Sequence, residues 1–354
     1  MKKKILSLMV FLLLGACGAP EEIQKASIIE SQDPGDYDIL LPFDASPIRY
    51  NHGIYLGDVD LMDIGSRLQE HAKAVFSVND FYLAEGQILS ITRVNNLLKR
   101  EASDNPYGLN PPKDSQFETG IGSVKILDAV LVADIIEIDF YKGTITNPIL
   151  SGIGFAIVFN QSMEVDGLPV LISDEKLNEF AQTAGRKLER YIRTIQGMET
   201  IDIYMALYTT QKIDATLPGH FFSEATFTAR EGQFTDITEE WVFFPSQSAL
   251  AKDVQNSTSF NTLRNAIIKF TPESVGTVGE GLYVDDELAH LKITVNMQAK
   301  TYTEVYALTQ TIIGLLEGFN HQKYDIIVKV TSNFETVALI KLTKDDQLSV
   351  IITY

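Results

Sequence analysis

The chain has 354 residues, 45% of them hydrophobic, with 47 acidic against 29 basic residues and a formal net charge of −18. That length and apolar content support a sizeable core and room for two domains of ordinary size. So acidic a surface is a poor partner for nucleic acid or for a bare anionic membrane, and the single cysteine, Cys17, excludes an intrachain disulfide.

Residues 1–17 read as a secretory signal of the lipoprotein kind. Lys2, Lys3 and Lys4 form a positive n-region. Ile5 to Leu14 is an apolar run, too short to span a bilayer, which needs roughly twenty residues. Gly15 and Ala16 are small enough to enter a peptidase site, and Cys17 supplies the thiol that accepts a lipid. Cleavage between Ala16 and Cys17 would leave an acylated cysteine as the new N-terminus, tied to the membrane by its acyl chains. Residues 17–39 are polar and acidic, with Pro20, Pro34 and Gly35 and no helical or strand period, which predicts a flexible tether.

From 40 to 245 the spacing predicts an N-terminal α+β domain that opens with helices and loops. Leu61, Ile64, Leu68, Ala72 and Val75 recur at helical spacing, and a second short helix carries Val94, Leu97 and Leu98. The stretch Asn105, Pro106, Tyr107, Gly108, Leu109, Asn110 is held out of helix and central strand by its proline and by Pro111-Pro112. It is either a packing element or a binding loop.

The Cys17 start, Glu85-Gly86-Gln87-Ile88-Leu89, Leu97-Leu98-Lys99-Arg100 with Asn105 to Pro112, and the run Gly152 to Gln161 together resemble the CamS family of Gram-positive sex-pheromone precursor lipoproteins. The resemblance implies an extracytoplasmic, membrane-anchored protein; that it is neither an enzyme nor a cofactor binder is expected from the lack of any nucleophile–base or metal constellation. It also implies that the apolar end of the signal peptide, once freed, acts as a pheromone on cells carrying a conjugative plasmid. The matching residues here are Val10, Phe11, Leu12, Leu13, Leu14, Gly15 and Ala16.

Val124 to Tyr141 and Phe155 to Asn160 predict strands. A helix follows, capped by Ser173 and running to about Gly197, and then three more strands end at Phe244. Arg186, Lys187, Arg190 and Arg193 crowd the second half of that helix, either serving its dipole or forming an anion site. Residues 246–287 predict a linker with one helix. Residues 288–354 repeat the order strand, helix, strand, strand, with a capping box at Thr301 to Glu304. The fold class expected is therefore α+β, two βαββ-type units with antiparallel sheets, each covered by its helix.

No metal, nucleophile or phosphate-loop motif is present. The five histidines are scattered. Glu137 and Asp139 share a face of their strand, whereas Asp134 and Glu137 do not, and these acids read as a solvated face. A body without evident chemistry leaves three readings: a pheromone precursor, an envelope module for a peptide, glycan or surface-protein ligand, or, ranked below both, an enzyme acting in the wall.

Overall fold

The computed structural model describes residues 26–33, 35–55, 60–210, 217–229, 231–270 and 276–353, with backbone alone at 53–55. The first half contains β1 (Ser27–Ile29), β2 (Ile39–Leu41), α1 (Arg49–Tyr55), α2 (Leu61–Ala72), β3 (Tyr82–Glu85) and α3 (Ile91–Leu97). A small hairpin, β4 (Gln116–Glu118) and β5 (Lys125–Leu127), leads to the two long strands β6 (Val132–Thr144) and β7 (Asn147–Phe159). A second hairpin, β8 (Ser162–Val165) and β9 (Leu168–Leu171), precedes α4 (Asp174–Ile192), β10 (Asp202–Thr209), β11 (His220–Phe227) and β12 (Thr235–Asp236). The large sheet runs in the order β1-β2-β3-β6-β7-β10-β11-β12.

β6 is buried from Val132 to Phe140 without a break, because the sheet is covered on both faces. Ile136, Ile138 and Phe140 join Ile64, Leu68, Ala72 and Phe76 in the core beside α2. Ile135 joins Leu177, Ala181, Leu188 and Ile192 in the core beside α4. The α4 cap is as expected, the Ser173 hydroxyl accepting from the Lys176 amide with Asp174 and Glu175 in the first turn.

The second half contains β13 (Glu239–Phe244), α5 (Gln247–Lys252), α6 (Val254–Phe270), β14 (Gly276–Val284), β15 (Glu287–Met297), α7 (Tyr302–Leu316), β16 (Asp325–Ser332), β17 (Glu335–Leu342) and β18 (Leu348–Ile352). Its sheet runs β13 to β18 in sequence order. Leu263 and Ile267 of α6 and Val305, Leu308 and Ile312 of α7 cover one face. Thr301 and Glu304 form the capping box of α7.

The α+β class and the two repeated units are both present. Each unit is ββαββ, with a leading strand added to the expected order, and each sheet is mixed. Helix α4 carries the chain from β7 across to β10, so those strands pair parallel, and α7 does the same between β15 and β16. The remaining neighbours within the units are antiparallel.

Two boundaries differ from expectation. Residues 246–287 are not a linker: they hold α5, α6 and β14, and the second sheet starts at Glu239, which pairs with Val284. The tether is part of the fold from β1 onward. Ser27 pairs with Leu41 on the sheet edge, and the Tyr37 hydroxyl donates to the Phe76 carbonyl at 2.5 Å inside the core. Polar local composition hides both, since edge pairing and a single buried tyrosine leave no periodicity.

Candidate functional site

Strand β3 ends at Glu85, and the chain then turns across the face of β6. Three successive amides of that turn point at two carboxyl groups. Gln87 N donates to Asp139 Oδ2 at 3.1 Å, Ile88 N to Glu137 Oε1 at 2.7 Å, and Leu89 N to Glu137 Oε2 at 2.8 Å. Gly86 makes the approach feasible, since a Cβ there would lie 2.5 Å from Glu137 Cγ. Glu137 is 3% exposed and Asp139 fully buried, so the expectation of a solvated face is overturned.

Burial raises the pKa of both groups, against the backbone hydrogen bonds that favour the Glu137 carboxylate. Asp139 is pushed up to about 9, first by burial and then by the Glu137 charge. Asp139 Oδ1 accepts no hydrogen bond. As a carboxylate oxygen it would be a buried orphan; as an acid it donates to Glu137. A proton held between the two carboxyl groups satisfies that oxygen, and burial favours keeping it. Asp134, on the same strand, is also fully buried and meets His52 Nδ1 at 2.6 Å. Such enclosed carboxyl groups give a substrate no face to approach, and their role is to hold α1 and the 85–89 turn on the sheet. Among the described residues no group of three or more His, Cys, Asp or Glu side chains is placed to hold a metal ion.

The second polar cluster joins the two halves. Arg67 of α2 donates through Nη1 to Glu239 Oε2 at 2.5 Å and through Nη2 to Asp63 Oδ2 at 2.5 Å. His71, one turn on, meets Glu239 Oε1 at 2.8 Å, and the Phe221 amide donates to Oε2 at 2.6 Å. Trp241 Nε1 donates to the Gly219 carbonyl at 3.1 Å. Burial alone would raise the Glu239 pKa, but the His71 hydrogen bond and the Arg67 charge outweigh it, and the value falls below the usual carboxylate range. Sequence reasoning missed this cluster, because Arg67 and Glu239 lie 172 positions apart and neither belongs to a motif.

Beside this junction lies a groove between α2 and the face of the second sheet that α6 and α7 leave open. Its larger part, about 500 Å³, is lined by Tyr37, Arg67, Glu70, Leu83, His290 and Lys341. A smaller part, about 220 Å³, shares Ser66, Arg67 and His290 and reaches Trp241, Leu282 and Ile327. Its size is that of a small-ligand or side-chain site.

The stretch 105–110 is turned largely inward. Asn110 is buried, receiving the Leu131 and Val132 amides on Oδ1 and donating to the Leu98 and Val132 carbonyls. Asn105 Nδ2 donates to the Asn96 and Arg100 carbonyls, closing the end of α3. Leu109 is in the core, and Gly108 packs so closely on Arg100 that a Cβ would meet its carbonyl oxygen at 2.4 Å. Pro106 stays on the surface, and Tyr107 sets its ring edge against Tyr191. The remaining predicted positions, Val10, Phe11, Leu12, Leu13, Leu14, Gly15, Ala16 and Cys17, lie outside the described residues.

The profile of the CamS sex pheromone cAM373 precursor family matches residues 52–347, which includes the 85–89 turn, the junction and both sheets apart from β1, β2 and β18. No curated protein matches the sequence. Among solved structures, the crystal structure of a sex pheromone precursor from Lactobacillus salivarius subsp. salivarius UCC118 superposes with a TM-score of 0.81 at 22% identity, covering 93% of this chain and 99% of that one. The C-terminal domain of the sex pheromone staph-cAM373 precursor from Staphylococcus aureus gives a TM-score of 0.68 at 20% identity, covering 83% of this chain and 96% of that one. These likenesses carry the fold, and the profile carries the kinship: the chain belongs to the CamS sex pheromone cAM373 precursor family.

Proposed function

We propose that the chain is an extracytoplasmic lipoprotein anchored through acylated Cys17, and that removal of residues 1–16 frees a pheromone peptide ending in Val10 to Ala16. The observation that carries this is the order Lys2-Lys3-Lys4, a short apolar run, Gly15-Ala16 and Cys17, in a chain whose body matches the pheromone-precursor profile. The Val10 to Ala16 peptide has no ionisable side chain and is apolar, which favours passage through a bilayer and into a receptor groove. The N-terminal mass of the membrane-bound protein tests the anchor. The expected result is diacylated Cys17 as residue one, with a Cys17→Ser chain lost to the medium. An unmodified N-terminus elsewhere would remove anchor and peptide together. The pheromone role is tested with synthetic Val10–Ala16, which should induce plasmid transfer or clumping in a responder strain.

A second reading concerns the body and is favoured by the groove between α2 and the second sheet. The body then acts as an envelope module that takes an extended peptide, a glycan or a surface-protein segment there. Ser66→Trp fills the groove from its α2 wall. Saturable binding to the full Cys17→Ser chain that disappears with this variant supports the module, and binding that is indifferent to it sinks the idea.

A further inference from the structure

Helix α4 carries two arginines for which the fold supplies no charge partner. Its other cations are answered: Lys176 meets Glu179 at 2.7 Å, Lys187 meets Glu101 at 2.6 Å, and Arg193 meets Glu189 at 3.0 Å. Among the described residues neither Arg186 nor Arg190 has a carboxylate partner, in a chain with far more acids than bases. Arg186 spends one nitrogen on the Gly232 carbonyl at 3.0 Å, with its guanidinium 5.6 Å from the centre of the Phe234 ring. Arg190 has no hydrogen-bond partner among the described residues.

The two stand one turn apart and, with Glu189, Arg193, Thr194 and Phe227, line a cavity of about 430 Å³. Arg193 forms its buried wall. It is held by Glu189 and by the carbonyls of Met198, Ile201 and Phe227, so its charge is fixed in place. Glu189 is the one carboxylate in the lining, and it is consumed by Arg193.

The helix dipole accounts for a cation at Arg190, in the last turn, but not for the one at Arg186. Its field fades within the last turn, and Arg186 sits nearly two turns before the end at Ile192. Three of the four terminal carbonyls are already occupied: Glu189 accepts from the Arg193 amide, Ile192 from the Ile195 amide, and Tyr191 from the amide and hydroxyl of Thr194. What remains is a concave site with two free guanidinium edges. Guanidinium forks match the paired oxygens of a phosphate group. The cavity exceeds the size of the bare ion, leaving room for the ester it belongs to.

We propose that this cavity binds a phosphate monoester or diester group, gripped by Arg186 and Arg190 over the fixed Arg193. The group reaches the site either on a small soluble phosphate ester or on a phospholipid headgroup. The test uses the full chain carrying Cys17→Ser, titrated calorimetrically with glycerol 3-phosphate and, separately, with phosphatidylglycerol vesicles against phosphatidylcholine vesicles. Saturable binding should weaken about tenfold or more with Arg190→Gln. It should hold in Lys269→Gln, which removes an equal charge from exposed α6. Binding in the soluble arm identifies a free ester, and binding in the phosphatidylglycerol arm alone identifies a headgroup; either supports the site. The Arg190 side chain is exposed and has no hydrogen bond or ion pair to lose among the described residues, so its variant should keep the wild-type unfolding midpoint even if Arg186→Gln does not. The site is overturned by no saturable binding in either arm, by binding that survives Arg190→Gln, by equal losses in Lys269→Gln, or by capture of an acidic peptide with neither phosphate probe bound.

Discussion

Arg67 and Glu239 form an ion pair between α2 and the first strand of the second sheet, with side chains 6% and 0% exposed. A charge pair this deep is costly to desolvate but far more costly to break, since removal of one partner strands the other. Glu239→Ala should therefore lower stability by about 3–5 kcal/mol, read from urea unfolding at pH 7. Arg67→Ala should cost a similar amount. The double variant should cost less than the two losses added, because each single change already destroys the pair. Strict additivity would show that the two halves are joined by apolar packing instead.

The same pair gives a pH dependence. The Glu239 pKa is lower in the folded chain than in the unfolded one, with His71 and Arg67 overcoming burial. A depressed carboxylate stabilises the fold above its unfolded value of about 4.3 and loses that contribution as pH falls through the folded value. Wild-type stability should thus drop below about pH 4.3 more steeply than that of Glu239→Gln. Parallel acid limbs for the two proteins would contradict the assignment.

Asp139 has the opposite sign. Its folded pKa, pushed up to about 9, lies above the ordinary aspartate value, so the folded state keeps a proton that the unfolded state releases. Its contribution to stability falls as pH rises across the window between the two values and is level above about 9. Asp139→Asn cannot ionise and should gain on wild type as pH rises through that window. The gain is bounded by about 1.4 kcal/mol per pH unit for one proton. A constant difference between the two proteins from pH 5 to 9 would show that Asp139 is ionised throughout.

Gly86 is tied to the same pair by space rather than by backbone conformation. A methyl group there meets the Glu137 side chain at Cγ, Cβ and Cδ, all within 2.8 Å. Gly86→Ala should push the 85–89 turn off its carboxylates and destabilise by about 1–3 kcal/mol. The Glu137→Gly background should recover part of this loss, because it removes all three clashing atoms, including the Cβ at 2.6 Å that alanine would keep. No recovery would place the strain elsewhere.

The helices that carry caps and a 3.6-residue period were legible, as Ser173 and Thr301 illustrate, because their signals are local. The alternation of Leu291, Ile293, Val295 and Met297 was legible for the same reason, and with the helices it revealed the duplicated units. Pairing sense was not, since nothing in β7 or β10 states that they run parallel; that follows only from where α4 deposits the chain. The acids of β6 misled because a carboxylate on a strand reads as solvated unless its donors are known. Those donors are backbone amides about fifty residues away, which any side chains could supply. The resemblance singled out the 85–89 turn, and the structure supplies its purpose. Gly86 lets the backbone close on Glu137, and Leu89 buries itself beneath it.

Asn110 offers the sharpest separation of packing from recognition within the 105–110 stretch. Its amide makes four hydrogen bonds to backbone groups at the end of α3 and the start of β6, all in a site that is 2% exposed. Asn110→Ala leaves those groups without partners, at roughly 1–3 kcal/mol for a buried orphan. Loss of two amide donors and two carbonyl acceptors should put the total near the top of that range. Asn110→Asp keeps the acceptor but turns a donor toward two carbonyls into a repelling oxygen, and should be no milder. Tyr107→Ala removes a half-buried ring that packs on the margin of the core and against Tyr191, strands no polar group, and should cost less, about 1–2 kcal/mol. Chemical unfolding of the three variants decides: a large loss at 110 with a small one at 107 marks a packing element, and the reverse order would return the stretch to the surface as a binding loop.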